Sequence, residues 1–172
     1  MYEKRIKLSQ RLITIAGFIE KGARVADIGT GDGHLPVYLA QNELASHIIA
    51  SDKSASSVET ALRSAEKYGV EDKISFIVAP GLTGIDKAEV DTIVIAGMGG
   101  ETISAILSDA PWIRTPGIRL ILQPQSKTDK LCYWLNTNGF TIYESALVRD
   151  RGRLYTILLA RAERGLKNDD NS

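Results

Sequence analysis

The residues best equipped for chemistry lie in the stretch Val25-Ala-Asp-Ile-Gly-Thr-Gly-Asp-Gly-His34, where Gly29, Gly31 and Gly33 alternate behind a short apolar run. Without a Cβ, such residues let the backbone turn sharply and approach a ligand closely. A dinucleotide loop reads G-x-G-x-x-G. Here the third glycine comes one residue early, and Pro36 marks a late helix start, where its missing N–H costs nothing. That spacing argues against a pyrophosphate on a helix N-terminus and for a ligand with no phosphate to cradle. Asp27 precedes the loop, and a carboxylate there is costly to bury unless loop amides or an ammonium group meet it. Asp52 stands 23 residues after Gly29, where an acid can accept both hydroxyls of a ribose. Asp27, the three glycines and Asp52 together describe a site for S-adenosylmethionine, with Thr30 and Lys53 as adjoining candidates.

A second glycine cluster closes the run Asp91-Thr-Ile-Val-Ile-Ala-Gly-Met-Gly-Gly100. Gly97, Gly99 and Gly100 would give an open floor with free amides beside a sulfonium, where a planar acceptor can approach. Alternatively, they form only a tight strand-to-helix turn.

These stretches need a frame that brings them together. Apolar spacing predicts a helix over 3–18, then strands and helices in alternation: strands 23–28, 47–51, 74–78, 90–96 and 118–122, with helices over 35–42, from an N-cap at Ser54 to Tyr68, over 101–107 and over 128–137. Strands 140–148 and 154–160 flank the turn Asp150-Arg-Gly152. Alternation implies right-handed parallel βαβ units, and continuous apolar strands imply a sheet covered on both faces. The expected fold is α/β: a Rossmann-like, doubly wound sheet of seven strands ending in an antiparallel hairpin. One domain over 1–164 is expected, with a disordered polar tail over 165–172.

Composition is that of an ordinary soluble domain: 172 residues, 44% hydrophobic, 24% charged and net charge zero. No apolar run approaches a membrane span, and Met1–Lys7 lacks a secretory signal, so a cytoplasmic location with no membrane partner is expected. With one cysteine (Cys132) and two histidines (His34, His47), neither a disulfide nor a metal site is expected. A monomer is the expected state. Six bases against two acids in residues 1–24, and again in 149–167, flank an acidic middle, a distribution that suits either an anionic partner or a solvated surface.

At this point the chain resembles the bacterial tRNA (adenine-22-N1)-methyltransferase family. The matching stretches are Leu8-Ser-Gln-Arg-Leu12, Val25–Gly29, Leu35-Pro36, Asp91–Gly100, Leu120-Ile-Leu-Gln-Pro124 and Trp134-Leu through Asn138-Gly-Phe140. The pair "IAGMGG" and "LILQP" is more distinctive than the glycine loop. The resemblance implies methylation of adenine N1 in the D-arm region of tRNA, with S-adenosylmethionine as methyl donor. Three departures accompany it. Gly31-Asp32 stands where the family has Asp-His. Ala79-Pro-Gly81 stands where it has Ala-Asn-Gly, with Ala79 and Gly81 left as backbone candidates near the cofactor adenine. The family's C-terminal coiled-coil extension has no counterpart in this sequence.

Adenine N1 carries a lone pair and no proton, so attack needs no prior deprotonation. A carboxylate nearby would stabilise the cationic product or take a proton from N6, and Asp32 is the candidate; the alternative is that it is a cofactor ligand or a loop cap. Met98 and Gly99 flank the transfer point. N1 lies on the pairing edge, so the base must be unpaired or flipped. His34, Met98 and Pro124 are candidates to hold it, with Gly100, and Gln123 could read its edge. Arg11 would meet the cofactor carboxylate or a phosphate, and Arg149, Arg151 and Arg153 would contact tRNA phosphates. A small-molecule methyltransferase, or a degenerate cofactor- or RNA-binding protein, remains the alternative.

Overall fold

The computed structural model describes residues 4–163; the expected tail at 165–172 lies outside them. Seven strands build one sheet: β1 (Ala23–Ile28), β2 (Ala45–Asp52), β3 (Ser75–Val78), β4 (Thr92–Gly99), β5 (Arg119–Ser126), β6 (Phe140–Asp150) and β7 (Arg153–Ala162). Their spatial order is β3-β2-β1-β4-β5-β7-β6. The first five are parallel, while β7 runs antiparallel to both β5 and β6. The expected Rossmann-like sheet with its terminal hairpin is therefore present.

The strand pleat sorts side chains to two faces with period 2. Val25, Val94 and Ile121 pack into one core with Ile15 and Ala16 of α1 (Gln10–Gly17), Val37 and Leu39 of α2 (His34–Gln41) and Ala65 of α3 (Ala55–Lys67). Their neighbours Ala26, Ile93, Ile95, Leu120 and Leu122 face the opposite core. There they meet Ile103 and Leu107 of α4 (Gly100–Ser108) and Leu131 and Leu135 of α5 (Thr128–Thr137). Asp27 and Gln123, one pleat step beyond Val25 and Ile121, thus belong to the α1 face.

Local signals set the element ends. Ser54 caps α3 by accepting the Ser57 amide at 3.3 Å, and Gly69 follows its end at φ +72°. Arg151 and Gly152 both take positive φ, as a two-residue primed hairpin turn requires.

Most element ends move by one to four residues, β5 running to Ser126 rather than 122 and α2 beginning at His34, ahead of Pro36, and two further shifts bear on the site. The first helix begins at Gln10, not residue 3, because Ser9 caps it through the Leu12 amide. Residues 4–9 run without regular structure, held by the Gln41 side chain, which accepts the Ile6 amide and donates to the Lys4 carbonyl, each at 2.9 Å. Periodicity misread this segment because Ile6 and Leu8 still pack against the core. The fourth strand runs to Gly99, three residues further than expected. Its register with β5 slips around Met98, so the glycine cluster continues the ladder as an irregular strand end.

Ligands in such sheets bind beyond the carboxyl ends of the strands where the order reverses. Here β1 lies between β2 and β4, which makes that point the end of β1. Because β7 returns antiparallel along β5, the β6–β7 turn rises at this same edge.

Candidate active site at the switch point

The Gly29–Gly33 loop leaves β1 with backbone hydrogen bonds that set its path. The Gly29 and Thr30 amides both donate to the Ser51 carbonyl, at 2.8 and 2.9 Å. Asp52 completes the anchor: one carboxylate oxygen accepts the Gly31 amide at 3.1 Å and the other accepts the Ser54 amide at 3.0 Å. The acid at the end of β2 therefore shapes the loop after β1. Lys53, next along, is exposed.

The three loop glycines serve different ends. Gly31, at φ +59°, has nothing within 4 Å of a Cβ position and borders open space. Gly29, at φ +73°, lies beneath the Met98 methyl, so a Cβ there would collide with it. Gly33, at φ +74°, abuts Ala61 of α3; a Cβ would stand 2.7 Å from that of Ala61. Gly33 is buried and answers to helix packing rather than to a ligand.

Asp27 is buried, and the Thr30 hydroxyl donates to it at 2.9 Å. Burial pushes its carboxyl up to about 7, while the Thr30 hydrogen bond and the Arg11 charge pull it back down; Asp32 and Asp52 add to the rise. Such a carboxylate, short of compensating charge, suits a cationic group placed over it. Asp32 is exposed and accepts the His34 amide at 3.3 Å, with the imidazole Nδ1 3.5 Å from its other oxygen. It satisfies one of the free amides at the start of α2, the cap geometry weighed against a proton-transfer role.

Arg11 reaches the site from α1. Its Nη1 donates to Gln123 Oε1 at 2.6 Å and stands 3.9 Å from the Cβ position of Gly97, and the guanidinium lies 5.7 Å from the Tyr155 ring centre. The Arg11 backbone amide donates to Asp150 at 3.4 Å, tying the start of α1 to the hairpin turn. Sequence reasoning missed both Tyr155 and Asp150, which come to Arg11 only through the β5–β7 register.

Several acceptor-side candidates sit elsewhere than expected. Gln123 is fully buried, its amide spent on Arg11 and, through Nε2, on the Pro124 carbonyl at 2.9 Å, so it does not present a free edge to a base. Pro124 is buried opposite Met98 in the β4–β5 register. Gly100 is buried too, and a Cβ there would collide with the Lys127 carbonyl; that contact explains the glycine. Gly97, Met98, Gly99 and His34 remain at the accessible end of β4 and the loop. Ala79 donates its amide to the Asp52 carbonyl at 3.0 Å, and Gly81 packs on Ile106. Arg149, Arg151 and Arg153 are exposed on the hairpin turn, with no ion pair among the described residues.

Among the described residues no group of three or more His, Cys, Asp or Glu is placed to hold a metal, and no helix is long and apolar enough to cross a membrane.

A family described as "Methyltransferase domain" matches residues 8–158. Over 157 residues the chain is 38% identical to the tRNA (adenine(22)-N(1))-methyltransferase of Bacillus subtilis, covering 91% of this chain and 66% of that protein. The crystal structure of the B. subtilis M1A22 tRNA methyltransferase superposes with a TM-score of 0.87 at 37% identity, covering 92% of this chain and 68% of that one. M. capricolum TrmK, solved with the cofactor product S-adenosylhomocysteine, superposes with a TM-score of 0.80 at 27% identity, covering 94% and 73%. The chain thus spans about two thirds of the length of the B. subtilis protein.

Proposed function

The chain belongs to the methyltransferase-domain family and, within it, to the tRNA (adenine-22-N1)-methyltransferases, and from that membership we propose that it methylates N1 of adenine 22 in tRNA with S-adenosylmethionine. The observation that carries the proposal is the convergence of Asp27, Gly31, Asp52 and Arg11 at the switch point, directly beside the open end of β4.

The residues present fit the cofactor. Asp52 supplies carboxylate oxygens for a ribose, Gly31 leaves room for close backbone approach, Asp27 offers a buried negative charge to a cationic group, and Arg11 offers a cation to a carboxylate. When bound, S-adenosylmethionine supplies an electrophilic methyl group on a cationic sulfur. The chain's own work is to hold the adenine in line with that group; alignment of this kind contributes up to about 7–11 kcal/mol to such reactions. Met98, Gly97 and Gly99 form the floor on which the base is held, and His34 borders it. Asp32 stabilises the positive charge that develops on the methylated ring. The base enters unpaired, and Arg149, Arg151 and Arg153 contact the phosphates of the RNA that carries it.

The test is transfer from labelled cofactor to unmodified tRNA, followed by mapping of the modified atom. Label on adenine N1 at position 22 is the expected result. Label on another atom, or on a small molecule alone, overturns the proposal.

A further inference from the structure

We infer that Gln123 is a positioning residue for the cofactor: it fixes the Arg11 guanidinium at the end of β4 so that Arg11 receives the carboxylate of the bound ligand's amino-acid moiety. The inference rests on the S-adenosylmethionine reading above.

A glutamine amide with no exposed surface is costly unless both its ends are satisfied. Here the two ends are chemically distinguished. A guanidinium only donates, so it must meet the amide oxygen; the Pro124 carbonyl only accepts, so it must meet the amide nitrogen. Rotating the amide would break both bonds, and the side chain is locked in one orientation.

That orientation is passed on to Arg11. Arginine has several rotatable bonds, and α1 lies outside the sheet, so nothing local directs its head. Gln123 supplies a short charge-assisted bond at 2.6 Å, and the Tyr155 ring supports the guanidinium, with 5.7 Å between them. One of its five N–H donors is spent on Gln123. No other side-chain donation from Arg11 occurs among the described residues, so the rest of the fork is left for a ligand beside Gly97.

Charge complementarity identifies what the fork receives. The site holds three carboxylates: Asp27 for a cationic group of the cofactor, Asp52 for its ribose and Asp32 beside the loop. They repel its carboxylate, which needs a cation. Arg11 is the one whose charge bears on Asp27, whereas Lys53 points from an exposed position.

The experiment compares two ligands by calorimetry: S-adenosylhomocysteine, and 5′-methylthioadenosine, which keeps the nucleoside and thioether but lacks the amino-acid moiety. Gln123→Leu is expected to weaken S-adenosylhomocysteine about tenfold or more and to leave 5′-methylthioadenosine within about twofold. Arg11→Gln is expected to show the same selective loss, and the double variant to be no weaker than Arg11→Gln alone. In turnover, KM for S-adenosylmethionine rises while kcat is largely kept. Gln123→Met, which keeps the side-chain length, carries the same test where Leu unfolds the protein. Unchanged S-adenosylhomocysteine affinity in Gln123→Leu overturns the inference, as does equal loss on both ligands, which would mark a packing role, or loss confined to tRNA binding. Failure of the unsubstituted protein to bind S-adenosylhomocysteine overturns the cofactor reading itself, a result separable from the others.

Discussion

Gly33 and Ala61 touch so closely that the loop after β1 and the helix α3 share one surface, with 2.7 Å between the Ala61 Cβ and the place a Gly33 Cβ would occupy. The third glycine of the loop is thus a packing residue, while the second, Gly31, faces open space.

Gly33→Ala adds overpacking to a left-handed backbone at φ +74° and is expected to destabilise by about 2–4 kcal/mol. Gly31→Ala meets no neighbour and is expected to cost only about 1 kcal/mol, through φ +59° alone, while weakening cofactor binding more than Gly33→Ala does. Urea unfolding and calorimetry on the two variants separate these effects.

Asp52→Asn replaces an acceptor of two backbone amides by a group that must point its NH2 at one of them. Leaving such a donor pair opposed costs about 1–3 kcal/mol. We expect S-adenosylhomocysteine affinity to fall about tenfold or more, since the ribose acceptor and the loop path are lost together. Isothermal titration measures it, with the unfolding midpoint recording the loop's share.

Asp27 titrates near 7 when folded and near 3.8 when unfolded. Between about pH 4 and 7 the folded chain holds a proton that the unfolded chain has released. The stability this proton contributes is complete below pH 4 and lost as pH rises through 7. Asp27→Asn is expected to remove that slope, so the variant overtakes the unsubstituted protein in stability above pH 7. Denaturant titrations from pH 4.5 to 8 test it. A cationic ligand over Asp27 favours the carboxylate, so binding near pH 6.5 is expected to release a proton, visible as a dependence of calorimetric heat on buffer ionisation enthalpy.

Arg149, Arg151 and Arg153 are exposed at the hairpin turn. Replacing all three with alanine is expected to leave the melting temperature unchanged, weaken tRNA binding and lower the slope of log K against log salt by about 2. Filter binding at several salt concentrations reads the slope; an unchanged slope means that these side chains do not meet phosphate.

Much of the frame was legible from the sequence. Continuous apolar strands, the Ser54 cap and the Asp150–Gly152 turn are local signals, and the structure follows them. The glycine turn and its tie to Asp52 were legible as well, since glycine spacing and an acid at a fixed distance are one-dimensional patterns. What did not show is what depends on register across the sheet. Gln123 reads as a polar residue at a strand end, and only the pairing of β5 with β7 and the approach of α1 reveal that it is buried against Arg11. Gly33 and Gly100 read as ligand glycines because a glycine required by a neighbouring helix or loop looks identical in sequence to one required by a ligand.

Arg11 leaves the ribosome early, but its partners Gln123 and Asp150 lie 112 and 139 residues downstream. Tyr155 follows later still. Contacts of such separation form only after the intervening chain is available. The glycine loop and Asp52 can assemble once β2 has emerged, whereas the Arg11 guanidinium waits for β5 and the β6–β7 hairpin. A chain interrupted before β5 would therefore carry the glycine loop without a fixed guanidinium beside it.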